Sequence, residues 1–434
     1  MSDLSILRAA AEVPDRPALI DARGVMTFAE LAARAMDLTQ PTDGRVWLAP
    51  RPARDDLARI VGALERRVGL ALLHARWTAA ERDDALARTG ATEDGHGATP
   101  AAEQLLLFTS GSAGRPKIVR IAHDALVAAA RMHAAALPWE ATDRAVLCLP
   151  LAHAGGLSVV TRALYARRPV ILAPERFDSD TLWGLIDAHQ GTITSLVPAM
   201  LAQLTERAPP RCLRAVLLGG DATPPVLLTR ARERGWPLLP TYGATETCGQ
   251  AATQRLGDER AEGVGPPLPG VRLRLGPEDV IEVHSPARML GYLDDDSPLD
   301  AEGWYRTGDV GRLDREGHLH VLGRSNRRII TGGENIDPLE VEAALLAHPG
   351  IAEAAVVGIA DPTWGQRVAA MIAGPRLPSD DELRAFLRPR LADFKRPRVI
   401  VRVGALPRTP SGKLDRARIT GALAAPSPPR GSTN

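Results

Sequence analysis

Cysteine is scarce in this chain of 434 residues: Cys148, Cys212 and Cys248 are odd in number and lack the spacing of metal ligands. That excludes a disulfide framework or a zinc site and points to a reducing compartment. Aromatic residues make up only 4% of the chain, and lysine is far outnumbered by arginine, so each lysine merits attention. No apolar run is long enough to cross a bilayer. The first residues, MSDLSILRAAAEVPDRP, carry early acids and no apolar segment of signal-peptide type. Charge of one sign is also missing, with 53 basic against 52 acidic residues, so no global field favours nucleic acid or a membrane surface. No internal repeat is visible. These absences lead us to expect a cytoplasmic enzyme or binding protein without nucleic-acid or membrane partners, with homo-oligomerisation left open.

What is present is a chain too long for one ordinary core, with 45% hydrophobic residues to fill several. Thr27 followed by Glu30 reads as a capping box opening an amphipathic helix near Met26. From Val68 to about Leu238, short apolar runs alternate with helical stretches, which predicts parallel sheets covered by helices. Past residue 255, short strands, glycines and prolines predict a smaller β-rich subdomain. From Arg324 a compact mixed pattern predicts a separate α+β domain of about one hundred residues. The expected organisation is a large domain over 1–323, a small C-terminal domain over 324–425 and a frayed tail over 426–434.

Chemistry gathers in a few loops. The apolar run Leu105 to Phe108 breaks into Thr109, Ser110, Gly111, Ser112 and Gly114, and closes on Lys117. Glycines expose backbone N–H groups, while hydroxyls and a lysine supply further donors. That suits a polyanion such as nucleotide phosphates, against the alternative of an ordinary polar loop. Gly219, Gly220 and Asp221 form a turn after a strand where backbone can approach a flat ligand. Tyr242, Gly243, Thr245 and Glu246 combine a ring to stack on a base, a hydroxyl for a phosphate oxygen and a carboxylate for Mg²⁺. The same residues also fit a capped helix start. Asp309, placed at a strand's start and followed by Gly323 and Arg324, suits two ribose hydroxyls or a simple turn. Lys413, in the loop PRTPSGK, is either a lysine carried into a site or a solvated surface lysine.

Together and in this order, TSGSAGRPK, YGATE, GWYRTGDVGRLDREGHL, GRSNRRIITGGENIDPLEVE and PRTPSGKLDR resemble the adenylate-forming superfamily of acyl-CoA synthetases, luciferases and adenylation domains. The resemblance covers about Thr27 to Arg416. It implies ATP, Mg²⁺ and coenzyme A as reaction partners of a small carboxylic acid. It further implies that the 109–117 loop holds the β- and γ-phosphates, that Gly219 to Asp221 and Tyr242 flank adenine, and that Thr245 touches the α-phosphate. Glu246 would hold Mg²⁺, Asp309 with Arg324 the ribose, and Lys413 would bridge the attacking carboxylate and the α-phosphate. Gly332 and Gly333 would line the pantetheine channel after the small domain rotates. Two features depart from the pattern: the hinge position is Asn326 rather than Asp or Lys, and the N-terminal portion is short.

The stretch LPLAHAGGL places His153 where the family has a residue beside the acyl pocket. With VVTRALYARRPVIL, TSLVPAMLAQL and LRAVLLGGDATP, it is most similar to the o-succinylbenzoate–CoA ligases of menaquinone synthesis. That acid carries a second carboxylate, which needs a cation or good donors. Arg162, Ser195 and Thr223 are the candidates, with a structural role for Arg162 as the alternative. Other readings are a different aryl- or medium-chain acyl-CoA ligase, a carrier-protein-loading enzyme, or a relative that only binds nucleotide.

Overall fold

The computed structural model describes residues 3–95, 102–109, 116–258, 263–294, 298–325, 329–331, 334–409 and 413–424. The alternation of apolar runs and helices produces two helix-covered sheets in the large N-terminal part. In the first, strands Leu238–Ala244, Ala215–Leu218, Ile193–Leu196, Ala145–Leu147, Val170–Leu172 and Pro17–Asp21 run parallel in that spatial order. Antiparallel strands Gly249–Thr253 and Gly24–Thr27 close its two edges. Parallel strands buried on both faces read as continuous apolar runs, and VIL and AVLL do so here, whereas the equally buried ITSL carries Thr194 and Ser195.

The second sheet is mixed. Arg45–Leu48, Gly69–Leu72 and Leu105–Thr109 are parallel, then Lys117–Ile121 turns back antiparallel and pairs with the short strand Gly291–Tyr292. The loop after Thr109 is thus a hairpin connection, with Thr109 and Lys117 as cross-strand partners at its base. Helix Ala154–Ala166 is buried nearly all round and packs with helix His123–Ala136 in the main core. A helix with an apolar circumference belongs between layers, which makes Arg162 on it conspicuous.

The β-rich expectation after residue 255 holds: Arg272–Leu275, Val280–His284, Tyr305–Leu313 and Leu319–Arg324 form an antiparallel sheet. Asp309 lies in the middle of Tyr305–Leu313, not at a strand's start as the sequence suggested. Gly308 takes a left-handed φ of 74°, and the ladder shifts register between Val310 and Gly311. The glycines thus mark an irregular strand instead of its beginning. Likewise Met26 lies within the strand Gly24–Thr27, and the helix begins at Phe28, capped by the expected Thr27–Glu30 box.

Beyond it, Glu353–Asp361 and Gly365–Ala373 pair as a long hairpin, flanked by Ile329–Thr331 and by parallel Val399–Arg402. Helices Pro338–Leu346 and Asp380–Leu387 cover one face, and Arg416–Ala424 covers the other.

Burial in the large part has a consequence for acid stability. His123 bonds Gln104 Oε1 at 3.1 Å, and His133 bonds Gln250 Oε1 at 2.9 Å. Burial pushes His123 down to about 4, holds His133 well below its ordinary value, and pushes His153 to about 4. Between the ordinary value near 6.5 and about 4, the unfolded chain takes up protons that the native chain refuses. Stability is therefore present above pH 6.5 and falls with falling pH, by about 1.4 kcal/mol per pH unit for each such histidine. Urea unfolding followed from pH 7.5 to 4.5 is expected to show this slope; a flat profile would contradict it.

Candidate active site

Lys117 and Thr109 stand at the base of the hydroxyl- and glycine-rich loop. The loop's exit is pinned by Arg88, whose Nη2 donates to the Pro116 carbonyl at 2.8 Å and whose Nε donates to Asp294 Oδ2 at 2.7 Å. Ser110, Gly111, Ser112 and Gly114 lie outside the described residues, as do Asn326, Gly332 and Gly333. The Lys117 ammonium lies 4.4 Å from the centre of the Tyr292 ring. The hydroxyl of that tyrosine donates to Glu246 Oε1 at 2.9 Å. The structure thus brings the hairpin lysine and the expected metal carboxylate to one tyrosine.

Glu246 sits in a single 3₁₀ turn, Thr245–Thr247, that ends strand Leu238–Ala244. The sequence alternative of a helix start resolves into this one turn, closed by Thr247 Oγ1, which accepts from the Ala244 N–H at 3.0 Å. Gly243 must be glycine, because a Cβ there would lie 1.7 Å from the Gly249 carbonyl oxygen. Glu246 is 8% exposed, and among the described residues no basic side chain forms an ion pair with it. A buried carboxylate with one hydrogen bond and no cationic partner fits a cation that arrives with the ligand. Mg²⁺ takes one or two carboxylates and completes its shell with phosphates and water.

On the other side, Asp309 accepts from Tyr242 Oη at 2.7 Å and pairs with Arg324 Nε at 2.7 Å. Burial, reinforced by the Asp309 charge, holds the Tyr242 phenol well above its ordinary pKa, so it remains a donor. The structure joins Tyr242 to Asp309 and Arg324, which the sequence had grouped in a different segment. Gly219 and Gly220 follow strand Ala215–Leu218, the neighbour of the strand bearing Tyr242, and Asp221 is exposed and caps its own turn through the Ala222 N–H at 2.9 Å.

Helix Ala154–Ala166 carries His153 at its N-terminal end and buried Arg162 within it. His153 N-terminally flanks helix Ala154–Ala166, its ring 5.3 Å from that of His74, and its Nε2 is buried without a hydrogen-bond partner. Burial is the main cause of its low pKa, with the charges of His74 and Lys413 contributing. It is therefore neutral at pH 7. Lys413, exposed on its loop, is thus near enough to act on His153 electrostatically.

Arg162 and Ser195 line one internal cavity with His133, Trp139 and Leu217. Sequence reasoning missed His133 and Trp139, whose Nε2 and Nε1 are buried without partners; nothing in their local sequence distinguishes them from core residues. Arg162 is 7% exposed and forms no ion pair among the described residues, and burial pushes its pKa down to about 9, still cationic at neutral pH. Gly249, at φ 101°, faces this arginine: a Cβ there would stand 3.8 Å from Arg162 Nη2, in van der Waals contact. Thr223 does not line this cavity.

Residues 52–293 match the model of the AMP-binding enzyme family, and residues 340–413 match that of the AMP-binding enzyme C-terminal domain. The chain belongs to the AMP-binding enzyme family. This AMP-binding enzyme is 40% identical over 331 residues to 2-succinylbenzoate–CoA ligase of Bacillus velezensis, covering 72% of this chain and 68% of the relative. It is 36% identical to the enzyme of that name from Bacillus subtilis, with the same coverage of each chain. It also superposes on the Bacillus subtilis o-succinylbenzoate CoA synthetase solved with its acyl-adenylate intermediate. There the TM-score is 0.89 at 29% identity, covering 96% of this chain and 98% of that one. Against the same synthetase with ATP and magnesium ion, the TM-score is 0.86 at 29% identity, covering 98% and 99%. A double mutant of it bound to a product analogue gives 0.69 at 30% identity, although the coverage is again 96% and 98%. The AMP-binding enzyme thus matches the acyl-adenylate complex better than the product-analogue complex.

Proposed function

We propose that this chain is an ATP-dependent acid–CoA ligase that converts o-succinylbenzoate to o-succinylbenzoyl-CoA through an acyl-adenylate, a step of menaquinone biosynthesis. A carboxylate oxygen of the acid attacks the α-phosphorus of ATP, and the bond to pyrophosphate breaks. The thiolate of coenzyme A then attacks the acyl carbonyl carbon, and AMP leaves with the electron pair of the C–O bond.

In this reading Lys117 and the 109–117 loop hold the β- and γ-phosphates, Thr245 contacts the α-phosphate, and Asp309 with Arg324 takes the ribose hydroxyls. Tyr242 fixes Asp309 in place, and Gly219 to Asp221 border the adenine. Mg²⁺ at Glu246 would offset charge on the leaving pyrophosphate. Lys413 stabilises the negative charge shared by the attacking carboxylate and the α-phosphate. Neutral His153 walls the acyl pocket without competing for the carboxylate as a cation. The small domain, from Arg324 onward, carries Lys413 in for adenylation and withdraws it for the thiol step.

The observation that carries the choice of acid is Arg162: a buried cation without an anionic partner among the described residues, in a cavity with two further unpartnered polar atoms. A monocarboxylic aryl or fatty acid leaves that charge uncompensated, whereas the succinyl carboxylate compensates it. The complete set Lys117, Glu246, Asp309 and Lys413 weighs against a binding-only relative. Pyrophosphate release with ATP, Mg²⁺ and CoA across a panel of acids tests the reading. Turnover is expected with o-succinylbenzoate; turnover with benzoate or octanoate and none with o-succinylbenzoate would overturn it.

A further inference from the structure

The chain has only four tyrosines, Tyr165, Tyr242, Tyr292 and Tyr305. Three of them converge on the two acidic residues of the nucleotide side. Tyr242 donates to Asp309 and Tyr292 donates to Glu246, while buried Tyr305 is close enough to Tyr292 and Glu246 for both to act on it electrostatically. Tyr292 has a single O–H proton, and Glu246 Oε1 takes it. The second oxygen of Glu246 is then the one turned to a cation.

The backbone fixes this arrangement from two sides. Gly291–Tyr292 is an edge strand paired with Arg120 and Val119, and Leu293 N–H donates to the Ile118 carbonyl at 2.9 Å. Just before it, Met289 N–H donates to the Glu246 carbonyl at 2.8 Å. One short segment is therefore stitched both to the strand that begins with Lys117 and to the turn that presents Glu246. Its tyrosine repeats both links with its side chain: the hydroxyl on the carboxylate and the ring face on the ammonium, at 4.4 Å.

We propose that Tyr292 is a positioning residue for adenylation. Its hydroxyl orients Glu246 toward Mg²⁺, and its ring holds the Lys117 ammonium over the phosphates that the same ion would neutralise. The proposal rests on the ligase reading of the site. Without the hydroxyl, Glu246 keeps its place in the backbone but loses the only side-chain hydrogen bond it makes among the described residues. Without the ring, Lys117 loses its aromatic contact as well.

Calorimetric titration of ATP with and without Mg²⁺ separates the two links and needs no acid substrate. Tyr292→Phe is expected to weaken Mg-ATP binding about tenfold, the scale of one hydrogen bond to a charged group, while leaving metal-free ATP binding unchanged. The Mg²⁺ concentration for half-maximal pyrophosphate exchange should rise by the same factor, with kcat recovered at saturating Mg²⁺. Tyr292→Leu should weaken metal-free ATP binding too. An unchanged Mg²⁺ dependence in Tyr292→Phe would overturn the proposal, as would a lower kcat that saturating Mg²⁺ does not restore, since that would mark a merely structural role. If the ligase reading itself were wrong, the wild type would fail to release pyrophosphate with o-succinylbenzoate, whatever the calorimetry gave.

Discussion

Lys413→Ala is expected to lower the rate of adenylation by about 10² to 10³, the loss seen when one preorganised donor is taken from a developing oxyanion. Lys117, Lys395 and Lys413 are the only lysines of the chain. Lys395 is engaged with Glu340 at 2.7 Å, which leaves two for the reaction. Lys413 is exposed, and its backbone carbonyl, not its side chain, closes the loop by accepting from Thr409 N–H at 2.8 Å. Truncation at Cβ therefore leaves the loop intact and costs little stability. Thioester formation from supplied acyl-adenylate should be spared, because the small domain has then carried Lys413 away from the acyl carbonyl. ATP–pyrophosphate exchange measured beside single-turnover thioester formation separates the two steps. Exchange at the wild-type rate would remove Lys413 from the mechanism. Lys413→Arg keeps the charge but replaces a compact ammonium with a planar fork, so partial recovery at most is expected.

Why these residues were legible, and others not, follows from how each announces itself. Lys117, Glu246, Asp309 and Lys413 sit in or beside glycine- and hydroxyl-rich segments, where local composition betrays a backbone shaped around a ligand. The parallel strands were legible because burial on both faces demands uninterrupted apolar residues, as in Ala215–Leu218. The edge strands were harder: Gly24–Thr27 is exposed or half-buried along its length, and its pattern merges into the helix that follows. Gly308 misled for a related reason, since glycine in an irregular strand looks the same in sequence as glycine in a turn. Tyr292, His133 and Trp139 were invisible because their significance is entirely tertiary. Tyr292 lies in an unremarkable Gly-Tyr pair and acquires its role only when a two-residue strand is paired with Arg120 and Val119.

Arg162 was visible as one arginine among many; burial is what singles it out, and burial also dictates its test. A charge held in an apolar helix without an anion is a standing cost to the ligand-free enzyme, and replacing such a charge by an apolar residue of similar volume often stabilises. Arg162→Met is therefore expected to raise the unfolding temperature of the free enzyme while weakening its use of o-succinylbenzoate. Removing one partner from a buried, hydrogen-bonded charge pair costs about 2–5 kcal/mol, so kcat/KM for that acid should fall by about two to three orders of magnitude. The loss should fall mainly on KM, because the remote carboxylate takes no part in the displacement at phosphorus. Acids without a second carboxylate should gain relative to o-succinylbenzoate, since the pocket no longer holds an uncompensated cation. The same cavity places Ser195 and the unpartnered Trp139 Nε1 beside Arg162. Trp139→Phe, which removes that donor alone, should cost less than Arg162→Met by the difference between a neutral and a charged hydrogen bond. The opposite pattern, a destabilised Arg162→Met enzyme with unchanged KM for o-succinylbenzoate, would assign Arg162 to the fold and leave the second carboxylate to another partner.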